Sequence, residues 1–148
     1  MITLAADPTT LVDADLFDRL VTRIVEDEGV DWSFAERVMR QALVFLKACA
    51  DNPAARLSPS NLVDLGWHAF ILHTAEYARF CENIAGRFIH HSPTCPGDPP
   101  GGATLARTIE MVRATGFPVD MPLWEGCRAA DCKEGDCSQC HQGCVDSP

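Results

Sequence analysis

Two histidines interrupt an apolar run, "LGWHAFILHTAEY" at residues 65–77, with Asp64 directly before it and the pair His90–His91 shortly after. Imidazole nitrogens and carboxylate oxygens are the donors that divalent transition metals take, and the same groups serve as general acids and bases. On a helix Asp64 and His68 fall on one stripe, four residues apart, so the carboxylate can accept an imidazole N–H and fix which ring nitrogen stays open. A carboxylate set among Leu62, Val63, Leu65 and Trp67 needs such a partner, because an unpaired buried charge is costly. His73 lies half a turn off that stripe and can join it only if the helix ends first. Thr74, read as the cap of the next helix, ends it and leaves His73 at a corner toward which a returning chain could bring His90 or His91. The core candidates are therefore Asp64, His68, His73, His90 and His91, with Asp64 orienting His68. A competing reading needs no metal: an Asp–His brace, a histidine at a helix corner and an exposed pair.

The second concentration of donors is "CRAADCKEGDCSQCHQGC", which places Cys127, Cys132, Cys137, Cys140, His141 and Cys144 near the C-terminus. So short a stretch cannot bury a core of its own, and thiolate ligation of zinc, worth about 10–16 kcal/mol in small peptide sites, would organise it. The C-x-x-C of Cys137 and Cys140, completed by Cys132 and Cys144 or Cys127, supplies four sulfurs. A continuous helix would set Cys137 and Cys144 ~10 Å apart along its axis, so a turn at Ser138–Gln139 is required. "CSQCH" also fits covalent haem attachment, which needs export, and the spacing matches neither familiar ferredoxin run; haem and iron–sulfur therefore rank below zinc. Cys49 and Cys81 sit on apolar helix faces and read as small buried hydrophobes, as Trp67, Tyr77 and Phe80 read as core.

The elements that must position these groups are helical. Leu11, Val12, Leu16, Phe17, Leu20, Val21, Ile24 and Val25 recur at helical spacing between a Thr10 cap and Gly29. Asp31 caps a second helix with Val38, Met39, Ala42, Leu43 and Leu46 on one stripe and Glu36, Arg37, Arg40 and Lys47 outside it, ending at Asn52–Pro53. Ser58 as cap and Pro59 at the first helical position open a third helix, which runs to about Leu72. A fourth, with Tyr77, Phe80, Cys81 and Ile84 on one face, stops at Gly86. "RFIHH" is then extended, "SPTCPGDPPGG" is a loop, and a fifth helix runs from Thr104 to Gly116 with Leu105, Ile109 and Val112 inward. No strand series or internal repeat is present. The fold class is all-α: a compact bundle of about five helices over residues 1–116, with an irregular, acidic Cys-rich tail at 117–148.

Composition narrows the function. The chain has 148 residues, 47% hydrophobic, with a formal net charge of −9 and no basic stripe, which argues against a nucleic-acid partner. No run reaches membrane-spanning length, and "MITLAADPTTLVDADLF" lacks the basic start and apolar core of a secretory signal, so we expect a cytoplasmic protein with reduced thiols and no membrane partner. Nucleotide-binding and nucleophile-elbow motifs are absent, and a Cys81–His73 nucleophile pair is disfavoured by the apolar face around the thiol.

The stretch "PSNLVDLGWHAFILHTAEYARFCENIAGRFIHH" resembles the glycine-rich domain-containing protein-like family, through Asp64, Trp67, His68, Leu72, His73, Tyr77, Cys81, Gly86, Ile89 and His91. Members often carry a further histidine where this chain has Phe70. The resemblance implies a helical fold and no particular reaction. The sequence reading is a small cytosolic zinc-binding accessory or interaction protein with a protein partner, its metal on the tail. Two alternatives stand beside it: a metalloenzyme built on the core histidines and Asp64, and a metal-free structural interaction domain.

Overall fold

The first three α-helices start at short polar side chains that satisfy otherwise orphaned backbone amides. Asp13 accepts from the Leu16 amide at 2.7 Å and opens α1, Ala14–Glu28; Asp31 accepts from the Phe34 amide at 2.8 Å and opens α2, Trp32–Asp51. Thr10, expected to cap α1, lies instead in a 3-10 turn, Pro8–Leu11, whose cap is Asp7. The acidic side chain at position 13, next to the first helical residue, wins that role.

The third helix also starts later than expected. Ser60, not Ser58, caps α3, Asn61–Ile71: its Oγ accepts from the Val63 amide at 3.2 Å and donates to the Leu123 carbonyl at 2.9 Å. That second bond is tertiary and invisible to a local cap rule, while the Ser58 amide is taken by Thr108 Oγ1 at 3.2 Å. Helix α4, Thr74–Ala85, has Thr74 as its first residue and His73 in the cap position, without a side-chain capping bond. It ends as expected on Gly86, whose φ of 68° is the left-handed conformation that a Cβ disfavours.

The computed structural model describes residues 6–91 and 105–125. The expected loop at 92–102, the Thr104 start of the fifth helix and all the tail donors, Cys127, Cys132, Cys137, Cys140, His141 and Cys144, lie outside the described residues. Helix α5 runs Leu105–Ala114 with Thr108 and Val112 buried, and a short α6, Met121–Glu125, follows. Among the described residues the fold is a compact bundle of six α-helices with no strand.

Helix α2 is the centre of the bundle, touched by α1, α3, α4, α5 and the 3-10 turn. The sequence predicts one buried stripe on it; the structure buries every residue from Gln41 to Leu46. Six consecutive positions span more than a full turn, so this part of the helix is enclosed on all sides. Helix α3 crosses α2 at Gly66, where a Cβ would come within 2.7 Å of the Ala42 Cβ and 3.2 Å of the Val38 carbonyl oxygen. The missing side chain lets the backbones approach, and it lies midway between Asp64 and His68.

The segment leading to Glu125 belongs to this core. Trp124 is fully buried and donates Nε1–H to Gln41 Oε1 at 2.7 Å, while Gln41 Nε2 donates to the Pro118 carbonyl at 3.1 Å. Arg37 grips Asp120 through two hydrogen bonds of 2.8 and 2.9 Å. Leu123 and Trp124 are too few to raise the apolar content of their neighbourhood, so sequence patterning passes over α6.

Candidate functional site

Asp64 and His68 stand on the one polar stripe of α3, a turn apart, and His68 Nε2 lies 3.1 Å from Asp64 Oδ2. The partner that the sequence left open is His91: its Nε2 lies 2.8 Å from Asp64 Oδ1. One carboxylate thus spans two imidazoles, one from its own helix and one from the chain returning past α4. The His68 and His91 rings meet edge to face with centroids 4.4 Å apart. One donor atom from each of the three residues lies within 4.8 Å of the other two.

Tertiary contacts bring His91 here. After Gly86 the chain is extended, and Arg87 donates to the Cys49 carbonyl at 3.0 Å. Ile89 is buried, and its carbonyl accepts from the Tyr77 hydroxyl. The same hydroxyl accepts from Trp67 Nε1 at 2.9 Å, and the Trp67 ring packs against His91 at a centroid separation of 4.3 Å. Trp67, Tyr77 and Phe80 are core residues, as their spacing predicts.

Electrostatics of the trio follow from the shared carboxylate. Burial pushes the Asp64 carboxyl up, but hydrogen bonds from His68 and His91, helped by their charge, outweigh it and hold the group below its ordinary value. The hydrogen bond to Asp64 raises His68, against partial desolvation. The site has an inner and an outer side: the His91 side chain is 18% exposed, Asp64 31% and His68 54%.

The other core candidates lie elsewhere. His73 reaches back to the Ala69 carbonyl through Nδ1 at 3.1 Å and lines a groove with Arg19, Thr22, Arg23 and Glu26 of α1. His90 is exposed and its ring packs on Phe88, centroids 4.8 Å apart. Alternation along the extended "IHH" explains the difference, since neighbouring residues there point to opposite sides and only His91 faces α3. Cys49 and Cys81 are buried free thiols, and desolvation pushes Cys49 up to about 12, so it is no nucleophile near neutral pH.

What the trio can do chemically is set by its donors. Two imidazole nitrogens and one carboxylate oxygen suit zinc or ferrous iron. Donors around a four-coordinate zinc ion stand roughly 3.3 Å apart; here the 2.8 and 3.1 Å contacts go to the two different oxygens of Asp64, and one donor atom from each residue lies within 4.8 Å of the others, so the side chains must shift to converge on one ion. Without an ion the same atoms form a hydrogen-bonded clasp between α3 and the segment after α4.

No curated protein and no solved structure matches the chain. The expected likeness to the glycine-rich domain-containing protein-like family is not upheld, because the family pattern that matches is a different one. It covers residues 11–96, more than half of the chain and all of the Asp64–His68–His91 trio, and the protein therefore belongs to the UCP032817-like family.

Proposed function

We propose that this protein binds a divalent transition metal, with zinc the first choice, through Asp64, His68 and His91. The observation that carries the reading is the meeting of three metal-type donors from two chain segments on one partly open spot. Three protein ligands leave a coordination position for water or a small ligand, the arrangement of metal sites that act on something; purely structural zinc sites use four. With the His68 side chain more than half exposed, the site is open to solvent on that side. This favours the core histidine site over the tail as the functional centre. The tail cysteines, Cys127, Cys132, Cys137, Cys140 and Cys144, remain a second, separate thiolate site on the strength of their spacing.

Elemental analysis of the full chain, purified without chelator, tests the assignment. Replacing all five tail cysteines by serine should leave one equivalent of metal bound, and adding His68→Ala or His91→Ala to that variant should remove it. Cobalt substitution should give a spectrum without thiolate-to-metal charge transfer in the tail variant. Metal retained by the His68→Ala and His91→Ala variants, and lost on tail replacement, would overturn the reading in favour of the tail.

A further inference from the structure

We infer that Tyr77 is a positioning residue for this centre, its hydroxyl holding His91 in register with Asp64 and His68 by tying together the two segments that carry the ligands. The inference rests on the proposed metal site. Its basis is the way one buried oxygen is used. Tyr77 is 1% exposed, donates to the Ile89 carbonyl two residues before His91, and accepts from Trp67, the residue next to His68. Its ring is held by Phe70 and Phe88 at centroid separations of 5.2 and 5.3 Å.

His91 has no helix to set its direction. Its position comes from the Ile89 anchor, from the Trp67 ring against its face, and from Asp64 itself. Two of those three supports pass through the Tyr77 hydroxyl. Tyr77→Phe keeps the ring and removes that oxygen, leaving the Trp67 N–H and the Ile89 carbonyl to find new partners. The extended segment can then slide relative to α3, and the His91 nitrogen leaves the spot where it meets the other two donors. Outer partners of metal ligands act in this way, and their loss typically weakens binding 10–100-fold.

Cobalt titration of the full chain with the five tail cysteines replaced by serine, the parent for every variant below, tests this, with imidazole proton resonances of the metal-free protein as a second readout. Tyr77→Phe should raise the cobalt dissociation constant about 10–100-fold. It should also move the His91 resonance away from the position that the Trp67 ring gives it, leaving His73 in place. Val112→Ala, a core truncation on α5, controls for lost stability alone and should change neither. If the tail-replaced parent binds cobalt and Tyr77→Phe binds it equally well with His91 unmoved, the inference is wrong and the metal site stands. If the tail-replaced parent binds no cobalt, the metal site itself is wrong and the positioning role falls with it. Should Tyr77→Phe fail to fold, Trp67→Phe removes the bond that the hydroxyl accepts, with the indole against His91, and keeps its bond to Ile89; undiminished cobalt affinity there overturns the inference that the hydroxyl ties the two segments together.

Discussion

Gly66→Ala puts a methyl group where α3 touches α2, and the coordinates set the size of the effect. The new Cβ would lie 2.7 Å from the Ala42 Cβ and 3.2 Å from the Val38 carbonyl oxygen. Carbon atoms in contact prefer about 3.5–4.0 Å, so the helices must separate by about 1 Å at their crossing. The methyl faces backbone and a Cβ, neither of which can swing aside. Overpacking of this kind costs roughly 1–3 kcal/mol, and alanine returns about 1 kcal/mol through better helix propensity. We expect a net loss of about 1–2 kcal/mol, read as a lower urea midpoint at unchanged slope. Ala42→Gly in the same chain should remove the main clash, so the pair should be more stable than the sum of the two single changes. Metal affinity should fall with Gly66→Ala as well, because Asp64 and His68 flank the displaced point while His91 is anchored elsewhere. An unchanged midpoint, or a double variant whose losses simply add, would refute the argument.

Trp124→Phe should cost at least about 1–3 kcal/mol, because Gln41 Oε1 loses its donor in a site that water does not reach; thermal melting would detect it, and an unshifted melt would contradict the assignment. In the metal-free protein the Asp64–His68 pair should contribute its full stabilisation between the titrations of the two groups. Asp64 is depressed on folding, so its contribution is present above the unfolded value near ~3.9 and is lost as pH falls through the folded value. His68 is raised, so its contribution is full below ~6.5 and is lost as pH rises through its folded value. A proton NMR titration should place the His68 midpoint above ~6.5 and Asp64→Asn should lower it; an unshifted midpoint would argue against the pairing.

How much of this was legible in the sequence depends on how local each cause is. Helical spacing in residues 14–85 marks four helices, since each buries a stripe repeated within its own length. The Asp64–His68 pair was readable for the same reason, as a four-residue spacing on one helix. His91 was not separable from His90 or joined to Asp64, because its place depends on how α4 turns the chain back and on Tyr77, a residue read only as core. His73 was placed rightly at the corner between α3 and α4, but which side of that corner it faces is decided by packing against α1. Gly66 drew no reading at all, because what requires it, the close approach of α3 to Ala42 and Val38 on α2, is tertiary. The caps at Asp13 and Ser60 show the same limit, the second because its hydroxyl also serves the Leu123 carbonyl sixty-three residues away.

The Gln41 side chain has a bearing on how this chain matures. Its amide is buried on the central helix and, among the described residues, is completed by the Pro118 carbonyl and the Trp124 indole, both near the C-terminal end of the described core. Until that stretch emerges, a nascent chain can assemble α1 to α4 yet holds an unquenched polar group at its middle. Completion of the domain is thereby deferred until residues 118–124 have been made. A product cut short before Asp120 would carry that defect and an uncovered apolar seam, the marks by which quality-control systems recognise unfinished protein.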